Sequence, residues 1–278
     1  MKNYLCNGAT KATSLLTTTV ETQRIISIKE RGSDSYVNNV KKCSEELKKL
    51  ISDASKESSD VTSQLDSTYP NRLVGKLRQG SKDSFEGLNE ALSNLNNRRK
   101  ILSSAGLASK ISDTDFLQQI DENQKELINP LKLYIDDSHK KLDPYEELSQ
   151  KIGLFKGIIN IRFKHKKMEI QQDEGLIFRS TVVKNENDVY EIIPHSKLSS
   201  GEQNELVLFY RLIFNTRSND MILIDEPELS LHISWQNKFI DDLKSITSIN
   251  DVSIIIATHS PDIIDENWDL KIELCGVE

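Results

Sequence analysis

A chain of 278 residues with 37% hydrophobic and 28% charged residues is long enough for one large domain or two modest ones. Its composition suits a globular core with long solvated helical extensions better than a single compact ball. The net charge of −7 excludes a surface built wholly for nucleic acid but leaves room for a local basic track. No apolar run approaches the roughly 20 residues needed to span a bilayer, and the N-terminus lacks a signal-peptide pattern. Three scattered cysteines, Cys6, Cys43 and Cys275, form no C-x-x-C pair. They argue against a disulfide framework or zinc site and for a reducing cytoplasm.

From about Tyr36 to Leu65 a seven-residue beat sets Val40, Leu47, Ala54 and Val61 on one line, with Ser44, Ile51, Ser58 and Leu65 beside it. Ala54, Ser44 and Ser58 among them are small or polar, so the pattern predicts a thin helical seam rather than a deep core. Pro70, Gly75 and Gly80 predict a break. A second beat follows through Phe85, Leu88, Leu92, Leu95, Arg99 and Leu102. A third starts at Leu117 and Ile120 and runs through Leu127, Leu131, Tyr134, Tyr145, Leu148, Ile152 and Phe155. Pro130 and Pro144 within it imply two or three helices or a kinked one. Residues 36–155 therefore read as an antiparallel helical arm, and the pattern leaves open whether it is a coiled coil or an ordinary bundle.

The period changes after Lys167. KKMEIQ and GLIFRSTVV, separated by QDEG, predict a β-hairpin, and DVYEIIP adds a third strand. Next come a helix from about Gly201 to Phe214, a strand at MILID, a helix from about Ser230 to Ile246, a strand at VSIIIAT and a short strand near LKIELC. Strand–helix–strand with continuous apolar strands predicts a parallel sheet covered on both faces.

Three stretches carry chemistry. In MILIDE, four apolar residues deliver Asp225 and Glu226 to the carboxyl end of a strand, where open α/β sheets bind ligands. An aspartate there can hold Mg²⁺ through water, and a glutamate one residue on can deprotonate the water that attacks a γ-phosphate. The same pair would also serve a plain strand end whose acids cap the next turn. VSIIIATHSP repeats the device with His259, which can hydrogen-bond a γ-phosphate but, taken alone, reads equally as structural. In KLSSGEQ, Ser199, Ser200 and Gly201 precede an amphipathic helix, so their N–H and hydroxyl groups can form an anion site. An N-cap by Ser199 or Ser200, with Glu202 and Gln203 in the first turn, uses the same geometry.

On these residues the chain resembles the soluble ABC-type ATPases of the RecF, SMC and OLD kind, often grouped with AAA-type ATPase domains. LSSGEQ resembles their signature motif, MILIDEPELSLH the Walker B strand with its D-loop, and ATHSP the switch-histidine loop. The resemblance is specific over Lys197–Leu270. It implies an α/β fold, a partial P-loop NTPase lobe of ABC type with a parallel core sheet plus the long helical arm. The implied division is residues 1–35 as a remnant of the N-terminal half-lobe, 36–155 as the arm, and 156–278 as the C-terminal half. VETQRI (Val20–Ile25) looks like the strand that closes the N-terminal half.

The resemblance further implies ATP and Mg²⁺ as ligands. Asp225 would be the metal aspartate, Glu226 the catalytic base and His259 the γ-phosphate switch. Ser199, Ser200, Gly201 and Glu202 would reach, in trans, the γ-phosphate held by a facing protomer. Glu202 replaces the glutamine of many relatives, and Leu231-His232 stands where transporters have Leu-Asp. The large departure is Walker A. No G-x-x-x-x-G-K-[ST] string occurs, although such a loop is what wraps and neutralises the phosphates. GKL at Gly75–Leu77 lacks the hydroxyl residue, and NGATKATS at Asn7–Ser14 carries its glycine, lysine and threonine in another order.

The expectation is an N-terminally shortened member, inactive alone, that works as a homodimer or with a Walker A-bearing partner. The alternative is a non-catalytic scaffold derived from such an ATPase. Relatives of this branch often act on DNA or in phage defence. The basic runs Arg162-Phe163-Lys164-His165-Lys166-Lys167 and Arg98-Arg99-Lys100 are the places where nucleic acid would bind. No membrane contact is expected.

Overall fold

The computed structural model describes residues 17–21, 34–79, 84–108, 125–229 and 231–272. They form two compact units, one of residues 34–206 and one of residues 207–272 with strand 17–21. No helix among them is long and apolar enough to cross a membrane.

The first strand, β1 (Thr17–Glu21), shares Val20 and Glu21 with the expected VETQRI strand, whose remaining residues lie outside the described ones. Helix α1 (Asp34–Gln79) runs for 46 residues, roughly 70 Å at 1.5 Å per residue. Its buried positions, Val40, Cys43, Leu47, Ile51 and Ala54, recur at helical spacing. Farther along, Val61 and Leu65 are only half-buried, as a thin seam requires. The small residue on the seam has a use: the Ser44 hydroxyl accepts the Leu176 N–H at 2.9 Å. A Cβ on Gly175, at φ +74°, would come within 2.4 Å of that oxygen, so glycine lets the hairpin approach the helix.

The expected break at Pro70 and Gly75 does not occur: α1 continues through both, and Gly80 lies outside the described residues. Proline removes one backbone donor and loosens the preceding turn, and neighbouring side chains serve the carbonyls there. Ser67 and Thr68 hydroxyls donate to Gln64 O at 2.9 and 3.1 Å, and Arg72 Nη2 donates to Leu65 O at 2.7 Å. The same guanidinium forms a two-pronged pair with the buried Asp137. Tertiary contact thus holds a turn that local propensity disfavours.

Helix α2 (Phe85–Ala105) starts at Ser84, whose hydroxyl accepts the Gly87 N–H, and ends at Gly106 in left-handed conformation. A Cβ on Gly106 would fall 2.0 Å from Ile170 O, which excludes any other residue there. Leu117 and Ile120 lie outside the described residues. The third beat resolves into α3 (Ile128–Leu142) and α4 (Glu146–Arg162), parted by a 3-10 turn, Asp143–Tyr145, that contains Pro144. Pro130 falls in the first turn of α3, where no helical N–H is missed. Helices α1 and α3 are antiparallel: Ser58 bonds Lys141, Arg72 bonds Asp137, and Asn129 bonds Lys76. Leu88, Leu92 and Leu95 of α2 pack with Ile128 and Ile135 of α3.

The predicted hairpin is present as β2 (Lys166–Gln171) and β3 (Gly175–Lys184), with β4 (Tyr190–Ile193) completing an antiparallel sheet. Helix α5 (Ser200–Phe214) follows and contains the boundary between the two units. Strand β5 (Met221–Asp225) then lies between β1 and β6 (Ser253–Ala257), all parallel. The expected helix over Ser230–Ile246 is instead a 3-10 turn at Pro227–Leu229, a short α6 (Ile233–Gln236) and α7 (Phe239–Asn250). The interruption has a local cause. His232 Nδ1 accepts the Ser234 N–H and so caps α6 as a new start. Helix α8 (Pro261–Ile264) follows β6.

Two expectations about the sheet need correction. Its strands are not buried on both faces. Ile222 and Ile224 are covered, whereas Met221, Leu223 and Asp225 are half-buried to exposed, and Ser253, Ile255 and Ala257 are exposed. An apolar run cannot report which face is covered, because both faces of such a strand look alike in sequence. Near LKIELC, Leu270 closes a 3-10 turn and Lys271 and Ile272 are not in a strand. The rest of that stretch lies outside the described residues.

Candidate functional site

The strand register places Glu21, Asp225 and Ala257 side by side at the carboxyl edge of the parallel sheet. Asp225 is exposed there. Glu226 turns the chain away with φ +45°, a left-handed conformation that costs a non-glycine residue on the order of 1–3 kcal/mol. Its N–H donates to Ala257 O at 2.8 Å, which ties the turn to the end of β6. Pro227 is buried and starts the 3-10 turn.

The Glu228 carboxylate then reaches the next loop. Oε2 accepts the Thr258 hydroxyl at 2.8 Å and Oε1 accepts the His259 N–H at 3.0 Å. Thr258 Oγ1 also accepts the Ser260 N–H at 3.0 Å. The Ser260 hydroxyl donates to Gln236 Oε1 at 3.1 Å, and Gln236 Nε2 donates to the Glu228 and Leu231 carbonyls. Asp225, Glu226 and His259 are thus carried on two adjacent strand ends joined by this network, with the His259 ring exposed. Sequence reasoning singled out those three but missed Glu228, Thr258, Ser260 and Gln236. The available signal was the second glutamate of DEPE two residues past Glu226, though its partner cannot be read from spacing.

Ser199, Ser200, Gly201 and Glu202 lie in the other compact unit. Ser199 is the cap: its hydroxyl accepts the Glu202 N–H at 3.3 Å, and Glu202 Oε2 accepts the Ser199 N–H at 2.8 Å. This is the reciprocal S-x-x-E capping box. Lys166 Nζ pairs with Glu202 Oε1 at 2.6 Å, and Gln203 Nε2 donates to Leu198 O at 2.7 Å. Leu198, Glu202 and Gln203 are buried, while Ser199, Ser200 and Gly201 are exposed. The turn is pinned from behind and presents its small residues outward, as contact with an anion or another chain requires.

His232 caps α6 and lies against Trp235, with ring centroids 5.2 Å apart. The GK pair of Gly75–Leu77 sits inside α1, so its backbone is helical rather than a phosphate loop. Asn7–Ser14 lies outside the described residues. In the basic runs, Arg162 pairs with Glu205 at 2.6 Å, Lys166 with Glu202, and Lys167 with Glu169 at 3.8 Å. Arg98 pairs with Asp143 and Glu146, and Arg99 bonds Tyr134 and Ser138. Much of that positive charge is therefore offset by carboxylates.

The sequence matches the AAA ATPase domain family over residues 7–264. The chain belongs to that family. Membership brings nucleotide use, usually with Mg²⁺, and extends over the N-terminal stretch that includes Asn7–Ser14. No curated protein matches the sequence. Among solved structures, the chain is similar to the Smc head domain with an extended coiled coil, bound to the C-terminal domain of ScpA, from Pyrococcus furiosus. The identity is 13% and the TM-score 0.29, over 79% of this chain and 52% of that one. The chain thus spans about half the length of that structure's chain.

Proposed function

We propose that this AAA ATPase domain is the hydrolytic part of a soluble ABC-type ATPase whose active site is shared between two polypeptides. Glu226 takes the proton from the attacking water, and the His259 ring hydrogen-bonds the γ-phosphate. Asp225, an exposed carboxylate at the sheet's carboxyl edge, suits Mg²⁺ held through water, since that ion keeps most of its waters. Bound there, the ion would neutralise charge on the phosphates. Ser199, Ser200, Gly201 and Glu202 meet the γ-phosphate of ATP on a facing protomer, a second copy or a partner that carries the phosphate loop. Residues 36–155 are the arm through which turnover is coupled to other macromolecules, DNA among them. Lys164 and His165, both exposed, are the first places to look for such contact.

The observation that carries this reading is the junction of the Asp225-Glu226 turn with the His259 loop, joined at 2.8 to 3.0 Å by Glu226 and Glu228. Calorimetric titration of the isolated chain with Mg·ATP tests the shared site. The expected result is weak binding, with no saturation below about 1 mM, a ligand free energy near −4 kcal/mol. Micromolar binding that Lys11→Ala abolishes would assign the phosphate loop to Asn7–Ser14 and overturn the shared-site part. Lack of any effect of Glu226→Gln on turnover would favour the scaffold alternative.

A further inference from the structure

Glu228 belongs to none of the roles assigned above, yet its carboxylate accepts the backbone N–H of His259 at 3.0 Å. We propose that Glu228 is the positioning residue of His259: it fixes the histidine loop against the Walker B turn, so that base and γ-phosphate switch move as one body. The inference rests on the roles given to Glu226 and His259.

Three features point this way. The carboxylate is two-pronged, with one oxygen on the Thr258 hydroxyl and the other on the His259 N–H. Both are hydrogen bonds to a charged acceptor, the stronger class. The Thr258 hydroxyl is directed by that contact, because it accepts the Ser260 N–H in return. That leaves its proton for Glu228 and closes a tight turn around the histidine. Finally, Gln236 closes the ring from behind, bonding Ser260 on one side and the Glu228 and Leu231 carbonyls on the other. The loop between β6 and α8 therefore takes its position from Glu228 and Gln236, both in the stretch that follows Glu226. A shift of the Glu226 turn would carry the His259 backbone with it.

A glutamine at 228 keeps the size but offers one acceptor for two donors, and turns an N–H toward one of them. An alanine removes both contacts. Hydrogen–deuterium exchange on the full chain reads the His259 and Ser260 amides directly and needs no turnover. Glu228→Gln should speed His259 exchange by about 10-fold or more, the scale of losing a hydrogen bond to a charged acceptor. Glu228→Ala should speed it further, while the α5 amides stay unchanged. Thr258→Val should loosen Ser260, and Thr258→Ser should restore it; this pair keeps the test available if the Glu228 variants do not fold.

Turnover of the assembled ATPase supplies the second arm. Glu228→Gln should lower kcat with KM for ATP unchanged, and adding His259→Ala should cost no more than His259→Ala alone, since residues that act as a unit are non-additive. Unchanged His259 exchange in both Glu228 variants would overturn the inference and leave the roles of Glu226 and His259 standing, as would additive effects on kcat. Full turnover in Glu226→Gln would instead overturn those roles, and the inference with them, even where exchange had risen.

Discussion

Two turns of this molecule are each held by a glutamate, and they are held in opposite ways. At the start of α5, Glu202 closes on its own helix, three residues from its partner Ser199. At the turn after β5, Glu228 reaches 31 residues along the chain to bond His259. The first is a local device that any helix could carry, backed here by the Lys166 pair on the same carboxylate. The second exists only once β5 and β6 lie side by side, so it reports and enforces the assembly of the site. In the proposed function, presentation to a partner would use the former, and coordination of a base with a switch the latter.

The sharpest way to separate the turn at the start of α5 from its support is to break the buried pair farther along that helix. Arg162 and Glu205 lie 2.6 Å apart with side chains 3% and 0% exposed. Arg162→Met removes the guanidinium paired with a buried carboxylate and should cost about 3–5 kcal/mol, read as a fall in the denaturation midpoint. Adding Glu205→Leu should recover most of it. A smaller effect comes from the cap itself. Ser199→Ala should cost about 1 kcal/mol, with lost protection in the first turn of α5 only; a change at Thr258 or His259 would contradict the local character of that turn. Smallest is Glu202→Gln, which keeps the capping box and gives up the pair with Lys166, whose side chain keeps 22% exposure and can turn to water. Its effect on stability should stay within about 1 kcal/mol, measured by the same denaturation curves.

The contrast also explains what sequence could tell. The capping box was legible because its partners are three residues apart. MILID and the VSIIIA strand were legible because apolar runs ending in polar groups are local patterns too, and β5 and β6 fall where expected. The helical seam of α1 followed its seven-residue beat through Val40, Leu47 and Ala54. What failed were readings that depended on distant partners. Pro70 looked like a stop because the Arg72–Asp137 contact that supports the continuing helix spans 65 residues. The open face of the β5–β6 sheet looked covered because an apolar strand does not announce its neighbours. Glu228 looked like a mere part of DEPE, since its bond to Thr258 needs the register Asp225↔Ala257. The basic run at 162–167 read as a surface feature, whereas Arg162 is buried against Glu205.

The central claim, that Glu226 is the base of a shared ATP site, is tested most directly by steady-state Mg·ATP turnover of the assembled ATPase, wild type against Glu226→Gln. The variant should lose about 10²–10⁴-fold in kcat while still retaining ATP. Turnover equal to wild type would contradict the account.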